Sequence, residues 1–125
     1  MKMRIVSRLY AFAGWAIVAL GGLHMLATIR LSASTPAFRL WFFGSGIAMA
    51  LAGALNLLNR AYGSSAVGVR MVCWIANVLL TLFAVVAGPL TNAGAAEYVV
   101  IVGLVGGASV LSFVRSSRSS TQDLR

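Results

Sequence analysis

Residues 40–59 read LWFFGSGIAMALAGALNLLN, a run without Asp, Glu, Lys, Arg or His. A membrane-spanning helix needs about 20 mostly apolar residues, with a range of roughly 17–25. This run has that length and is closed at both ends by arginine, Arg39 and Arg60. Working outward, three more windows lack Asp, Glu, Lys and Arg: residues 9–29, 71–96 and 98–114. The pattern predicts four spanning helices, over 9–29, 38–59, 70–88 and 95–114. The shortest window, 98–114, is expected to start a few residues earlier, in NAGAAEYVV.

Composition agrees with lipid as the solvent. The 125-residue chain is 60% hydrophobic and 10% charged, with mean hydropathy +0.92. Average soluble domains are about one quarter charged, so these charges are too few to cover a soluble surface. The length fits one domain. The expected fold is an all-α integral membrane four-helix bundle over residues 1–114, with a polar, disordered cytoplasmic tail, RSSRSSTQDLR, over 115–125. Short connections make consecutive helices antiparallel neighbours. The start of the chain also reads as a signal peptide, with MKMRIVSR as basic leader and LYAFAGWAIVALGGL as apolar region. No small-x-small cleavage site follows, and the apolar run continues to Ile29, so a retained first helix is expected.

The net charge is +8. In a soluble chain such a balance points to nucleic acid. Here the basic residues flank apolar windows, where they set membrane orientation, and no nucleic-acid partner is expected. With both ends inside, Lys2, Arg4, Arg8, Arg60, Arg70, Arg115, Arg118 and Arg125 are cytoplasmic, and only Arg30 and Arg39 are outside. That imbalance predicts N-in and C-in. A lone cysteine, Cys73, excludes an internal disulfide, and no Cys/His spacing points to a metal site.

Lipid tails are as apolar as leucine, so helices in a membrane associate through small residues and buried polar groups. Helix 1 places Gly14, Gly21, His24 and Thr28 on one arc. Helix 2 has two small ridges, Gly44, Ala48, Ala52, Asn56 and Gly46, Ala50, Ala54. Helix 3 aligns Cys73, Asn77, Thr81, Ala84 and Gly88, and helix 4 carries a GxxxG pair, Gly103 and Gly107. At 1.5 Å rise per residue, Asn56 and Asn77 fall at nearly equal depth. An unpaired carboxamide in hydrocarbon is costly, so they are expected to bond to each other or to nearby backbone, as a structural polar pair. Trp15, Trp41, Trp74, Tyr10 and Tyr98 read as an aromatic belt.

The only histidine lies in ALGGLHMLATIR, residues 19–30. An ionisable residue inside a span is a functional candidate by default. The same depth arithmetic gathers a candidate outer ligand cavity from His24, Ser45, Glu97, Tyr98, Arg30 and Arg39. In it His24 relays protons with Glu97, binds a small headgroup or quinone, or ligates haem, which with one histidine per chain needs a second copy or an external ligand. The competing reading is that His24 donates to a carbonyl or to Ser45 and only fixes packing. For Arg30 and Arg39, snorkelling toward the interface competes with headgroup binding.

GWAIVALGGLHMLAT and LWFFGSGIAMALAGALNLLNR resemble small four-helix bacterial membrane proteins of uncharacterised families, through Gly21 and His24 in the first helix and Trp41, Phe42, Gly44, Gly46, Gly53, Asn56 and Leu57 in the second. The resemblance covers the first half of the chain and implies fold and a bacterial cytoplasmic-membrane location, not an activity. Small multidrug transporters have similar size but carry an acidic residue in the first helix; His24 stands here without one, which speaks against cation export of that kind. One histidine and one acidic residue at the membrane supply no nucleophile–base pair or metal set. The expected function is therefore a non-enzymatic accessory, ligand-binding or transport module, acting as a homo-oligomer or within a larger membrane complex, with no resident cofactor. The alternatives are a membrane enzyme or redox subunit using His24 with Glu97 or a bound haem or quinone, and a bundle serving only as a scaffold.

Overall fold

The computed structural model describes the backbone of residues 2–30 and 34–122, and side chains over 4–30 and 34–114. Residues 31–33 of the expected first loop and 123–125 of the tail lie outside the described residues. Four helices carry the chain: α1 (Lys2–Ala27), α2 (Pro36–Tyr62), α3 (Val67–Leu90) and α4 (Ala95–Gln122). Each contains a stretch long and apolar enough to cross a membrane. α1 packs on α2 and α4, and α3 packs on the same two, so α1 and α3 stand across the diagonal.

The helices overrun the charge-free windows. α1 begins at Lys2, because nothing before Gly14 interrupts a helix. α4 continues to Gln122, so the segment expected as a disordered tail is helical through eight residues; it contains neither Gly nor Pro to stop it. Local chemistry sets the inner boundaries. Thr35 caps α2, its hydroxyl accepting from the Phe38 amide at 3.3 Å, and Pro36 occupies the first turn, where its missing N–H costs nothing. α3 passes through Pro89 before closing with Asn92 in the left-handed region, φ 52°, a conformation asparagine tolerates better than most residues.

The α1–α2 contact is the tightest in the molecule, and glycine makes it so. Gly14 and Gly21 lie seven apart on α1, as do Gly46 and Gly53 on α2, and antiparallel packing sets Gly14 against Gly53 and Gly21 against Gly46. A methyl on Gly21 would stand 2.6 Å from the Ala50 nitrogen and from the Gly46 oxygen; one on Gly53 would stand 2.7 Å from the Gly14 oxygen. The GxxxG pair of α4 behaves otherwise. Built methyls on Gly103 and Gly107 meet nothing within 4 Å, so this face is turned away from the bundle, contrary to its expected packing role. Gly106, one residue earlier on the inner side, faces Thr81.

Polar side chains are gathered inside the bundle, and its outer surface is largely apolar. Asn56, Asn59, Asn77, Ser109 and Ser112 are buried, while Leu23, Leu26, Leu40, Leu51, Leu79, Val86, Val99 and Val110 are exposed. Toward the amino-terminal end, Asn56 and Asn77 pair reciprocally: the Asn56 amide donates to Asn77 Oδ1 at 2.7 Å, and the Asn77 amide donates to Asn56 Oδ1 at 2.9 Å. Tyr10 donates to Asn56 Oδ1 at 2.8 Å and accepts from Asn59 at 2.9 Å. Tyr10 is therefore not a belt residue; it is fully buried in this network beside Cys73. Mid-bundle, Ala13, Ile17, Met49 and Ala108 form an apolar layer with Leu20, Leu80 and Ile101 packed on it.

Candidate functional site

Beyond that layer, at the end carrying the α1–α2 and α3–α4 connections, lies a cavity of about 290 Å³. α2 supplies one wall at helical spacing: Phe38, Trp41, Phe42, Ser45 and Met49. α3 supplies Leu80, Phe83, Ala84 and Gly88, and the first turns of α4 supply Glu97, Tyr98 and Ile101. α1 contributes His24 alone.

The structure thus brings together His24, Ser45, Glu97 and Tyr98. Arg30 and Arg39 do not line the cavity. Arg30 is exposed on the short 3-10 turn, Thr28–Arg30, that ends the first helix. Arg39 follows Phe38 by one residue, about 100° around the helix, and so points away from the face of Phe38, Phe42 and Ser45; its Nε is enclosed with no hydrogen-bond partner among the described residues.

His24 is held as a ring against a ring. Its imidazole stacks on Phe42 with centroids 4.6 Å apart and planes 15° apart. Nε2 faces Glu97 Oε1 at 3.8 Å, beyond the 2.7–3.2 Å of a nitrogen–oxygen hydrogen bond. Ser45 donates to the Phe42 carbonyl at 2.6 Å, and among the described residues no hydrogen bond joins it to His24. Glu97 sits in the first turn of α4, where a carboxylate is favoured by the helix dipole. His24 is buried and Glu97 half-exposed, so the pair spans from the interior to the cavity mouth.

Tyr98 owes its place to α3. Pro89 has no N–H to give to the Val85 carbonyl four residues back, and the Tyr98 hydroxyl donates to that oxygen at 3.4 Å. Gly88 leaves room for the Tyr98 ring, which a methyl there would strike. Reading single residues missed Phe38, Phe83 and Gly88. The helical spacing of Phe38 with Trp41, Phe42 and Ser45 was the available signal for the first; Phe83 and Gly88 depend on how α3 turns against α4.

Chemically the site offers an aromatic box with one imidazole–carboxylate pair at its side. Among the described residues no three His, Cys, Asp or Glu side chains converge. Fold and site together define the class: an all-helical four-helix bundle with four candidate membrane spans and a small cavity toward one end. No protein-family model, curated protein or solved structure matches the chain.

Proposed function

We propose that this is a non-enzymatic multi-pass protein of a bacterial cytoplasmic membrane, N-in and C-in, that binds a small organic molecule in the cavity around His24. The observation that carries the reading is the cavity itself: apolar and aromatic walls, a convergent polar pair, and a floor of Met49, Leu80 and Val105. Such a combination, mostly apolar with few placed polar groups, is what small-molecule sites share. The floor also separates this cavity from the Asn56 network, with the layer of Ile17 and Ala108 between them. Thr81 and Ser109 extend the polar groups from Asn77 to the Val105 carbonyl beneath that floor, but among the described residues no hydrogen bond joins them to His24 or Glu97, which favours holding a ligand over conducting a proton or ion. The leucine and valine exterior supports lipid as surroundings, since an apolar surface this extensive exceeds what water-soluble monomers expose. The distribution of basic residues supports the orientation, and the uncovered Gly103–Gly107 face of α4 supports a homo-oligomer.

Native mass spectrometry from mild detergent, with an absorption spectrum of the same sample, tests the reading. His24→Phe keeps the ring on Phe42 and removes Nε2. A discrete adduct on the wild type, lost in His24→Phe, is expected. Bare protein in both overturns the binding reading, and a haem or quinone band that disappears with His24 transfers it to a redox subunit.

A further inference from the structure

The cavity has a neighbour. A groove of about 510 Å³ runs between α2 and α3 on the outer surface, lined by Gly44, Ala48, Ala52, Ala76 and Leu79. Trp41, Ser45, Leu80 and Phe83 line both the groove and the cavity. These four residues form the partition, and Trp41 and Phe83 close it across the two helices, their ring centroids 5.7 Å apart and their planes inclined at 47°. The groove is apolar apart from Ser45 and follows α2 from Gly44 to Ala52, a length of roughly 12 Å. Gly44, Ala48 and Leu79 are exposed, so its open side meets whatever surrounds the bundle.

We infer that the occupant is a single-chain amphipath, with a hydroxylated head in the cavity and its apolar tail in the α2–α3 groove. This rests on the binding reading above and names its ligand class. The head chemistry follows from the gap at His24. Nε2 and Glu97 Oε1 stand 3.8 Å apart, too far to bond each other. A hydroxyl oxygen placed about 2.8 Å from each accepts from the imidazole N–H and donates to the carboxylate. The tail assignment follows from continuity. A chain leaving the cavity past Trp41 and Phe83 enters a trough of small side chains already shaped as a slot and open to the bilayer, so the ligand arrives laterally from the membrane.

The test uses the full chain in liposomes containing a monoacylglycerol with a photoreactive diazirine midway along its tail. Cross-links are mapped by peptide mass spectrometry. They are expected to concentrate on Ala48, Ala76 and Leu79. They are also expected to fall about tenfold, a change of roughly 1.4 kcal/mol, with excess monoolein, with excess monobutyrin, which fills the head site alone, and in His24→Phe. Gly44→Leu is expected to have the same effect by narrowing the groove. A Cβ there meets nothing within 4 Å, so the added side chain starts in open space, and Ala48→Trp is a second blocking variant at an exposed position.

Two results separate this inference from the reading beneath it. Cross-links on Ala84 and Ala87 with none in the groove, still displaced by monobutyrin, overturn the tail assignment and leave the cavity site standing. Groove cross-links that ignore monobutyrin and His24→Phe overturn the head assignment. Labelling spread evenly over outward positions such as Leu23 and Leu51, indifferent to every competitor, overturns both. Spontaneous disulfide dimers of Ala48→Cys in the same liposomes place a second copy in the groove and also overturn the inference.

Discussion

Asn56 serves α3 and α1 at once: its carboxamide pairs with Asn77 and accepts from Tyr10. Removing it takes from Asn77 its carboxamide partner and from the Tyr10 hydroxyl its carbonyl acceptor, leaving the weaker contacts to Cys73, and loss of a buried hydrogen-bond partner costs about 1–3 kcal/mol. Asn56→Ala and Asn77→Ala should each destabilise on that scale. The double variant should lose less than the sum, with a coupling of about 0.6–1.7 kcal/mol, the range found for hydrogen bonds between membrane helices. Unfolding in detergent micelles, followed across the four-member cycle, checks this; strict additivity would mean that the pair contributes nothing as a pair. Tyr10→Phe should cost about 1 kcal/mol by the same assay. The asparagine pairing was legible because depth along a helix is simple arithmetic. Tyr10 was not, since its depth depends on where α1 starts. With the helix beginning at Lys2, Tyr10 lies roughly 12 Å along it and falls within the bundle, where an end-of-helix aromatic would sit at the interface.

Between helices, the decisive quantity is how closely two backbones approach. Gly21 and Gly46 tolerate no Cβ, with oxygen or nitrogen atoms of the facing helix within 3 Å of where it would sit. Gly21→Ala should push α1 from α2 and destabilise by several kcal/mol, of the order seen for overpacked cores, about 1–3 kcal/mol or more. Gly103→Ala and Gly107→Ala should leave the fold as stable as before or slightly more so, because alanine is the better helix former by up to about 1 kcal/mol. If Gly103 and Gly107 instead hold two copies together, the same substitutions should weaken the oligomer on size exclusion with light scattering while the monomer's unfolding curve stays in place. Sequence offered Gly14, Gly21 and Gly46, and the Gly103–Gly107 pair, as packing positions, but placed Gly53 on neither ridge of the second helix. Motif spacing alone does not say which way a helix is rotated; the α1–α2 set is distinguished by having matching seven-residue intervals on two antiparallel helices, a correlation that only becomes meaningful once the pair is adjacent. Arg39 failed as a cavity residue for the related reason that one step along α2, from Phe38 to Arg39, changes the face, and Arg30 because it lies exposed on the 3-10 turn that ends the first helix.

At the scale of the whole molecule, the two ends differ in kind. One end holds a fully buried hydrogen-bond network around Asn56, and the other holds a cavity with His24 and Glu97, so the membrane orientation decides which compartment the cavity mouth faces. Under the proposed N-in, C-in orientation, which puts eight of the ten basic residues on the cytoplasmic side, the α2–α3 turn would face the cytoplasm and the α3–α4 turn would face outside. Ser64 and Gly94 are exposed in those two turns, and neither has a conformation that forbids a side chain. Cys73 is buried, so the native thiol stays silent to a membrane-impermeant maleimide. In intact cells Gly94→Cys should label and Ser64→Cys should not, and opening the membrane should expose Ser64→Cys. The opposite pattern would reverse the orientation, put the His24 cavity at the cytoplasmic face, and require that a ligand reach it from inside. A ligand that protects Gly94→Cys from the reagent in the wild-type background, but not with His24→Phe, would tie the labelled turn to the cavity beneath it, since Gly94 lines the same space as His24 and Glu97.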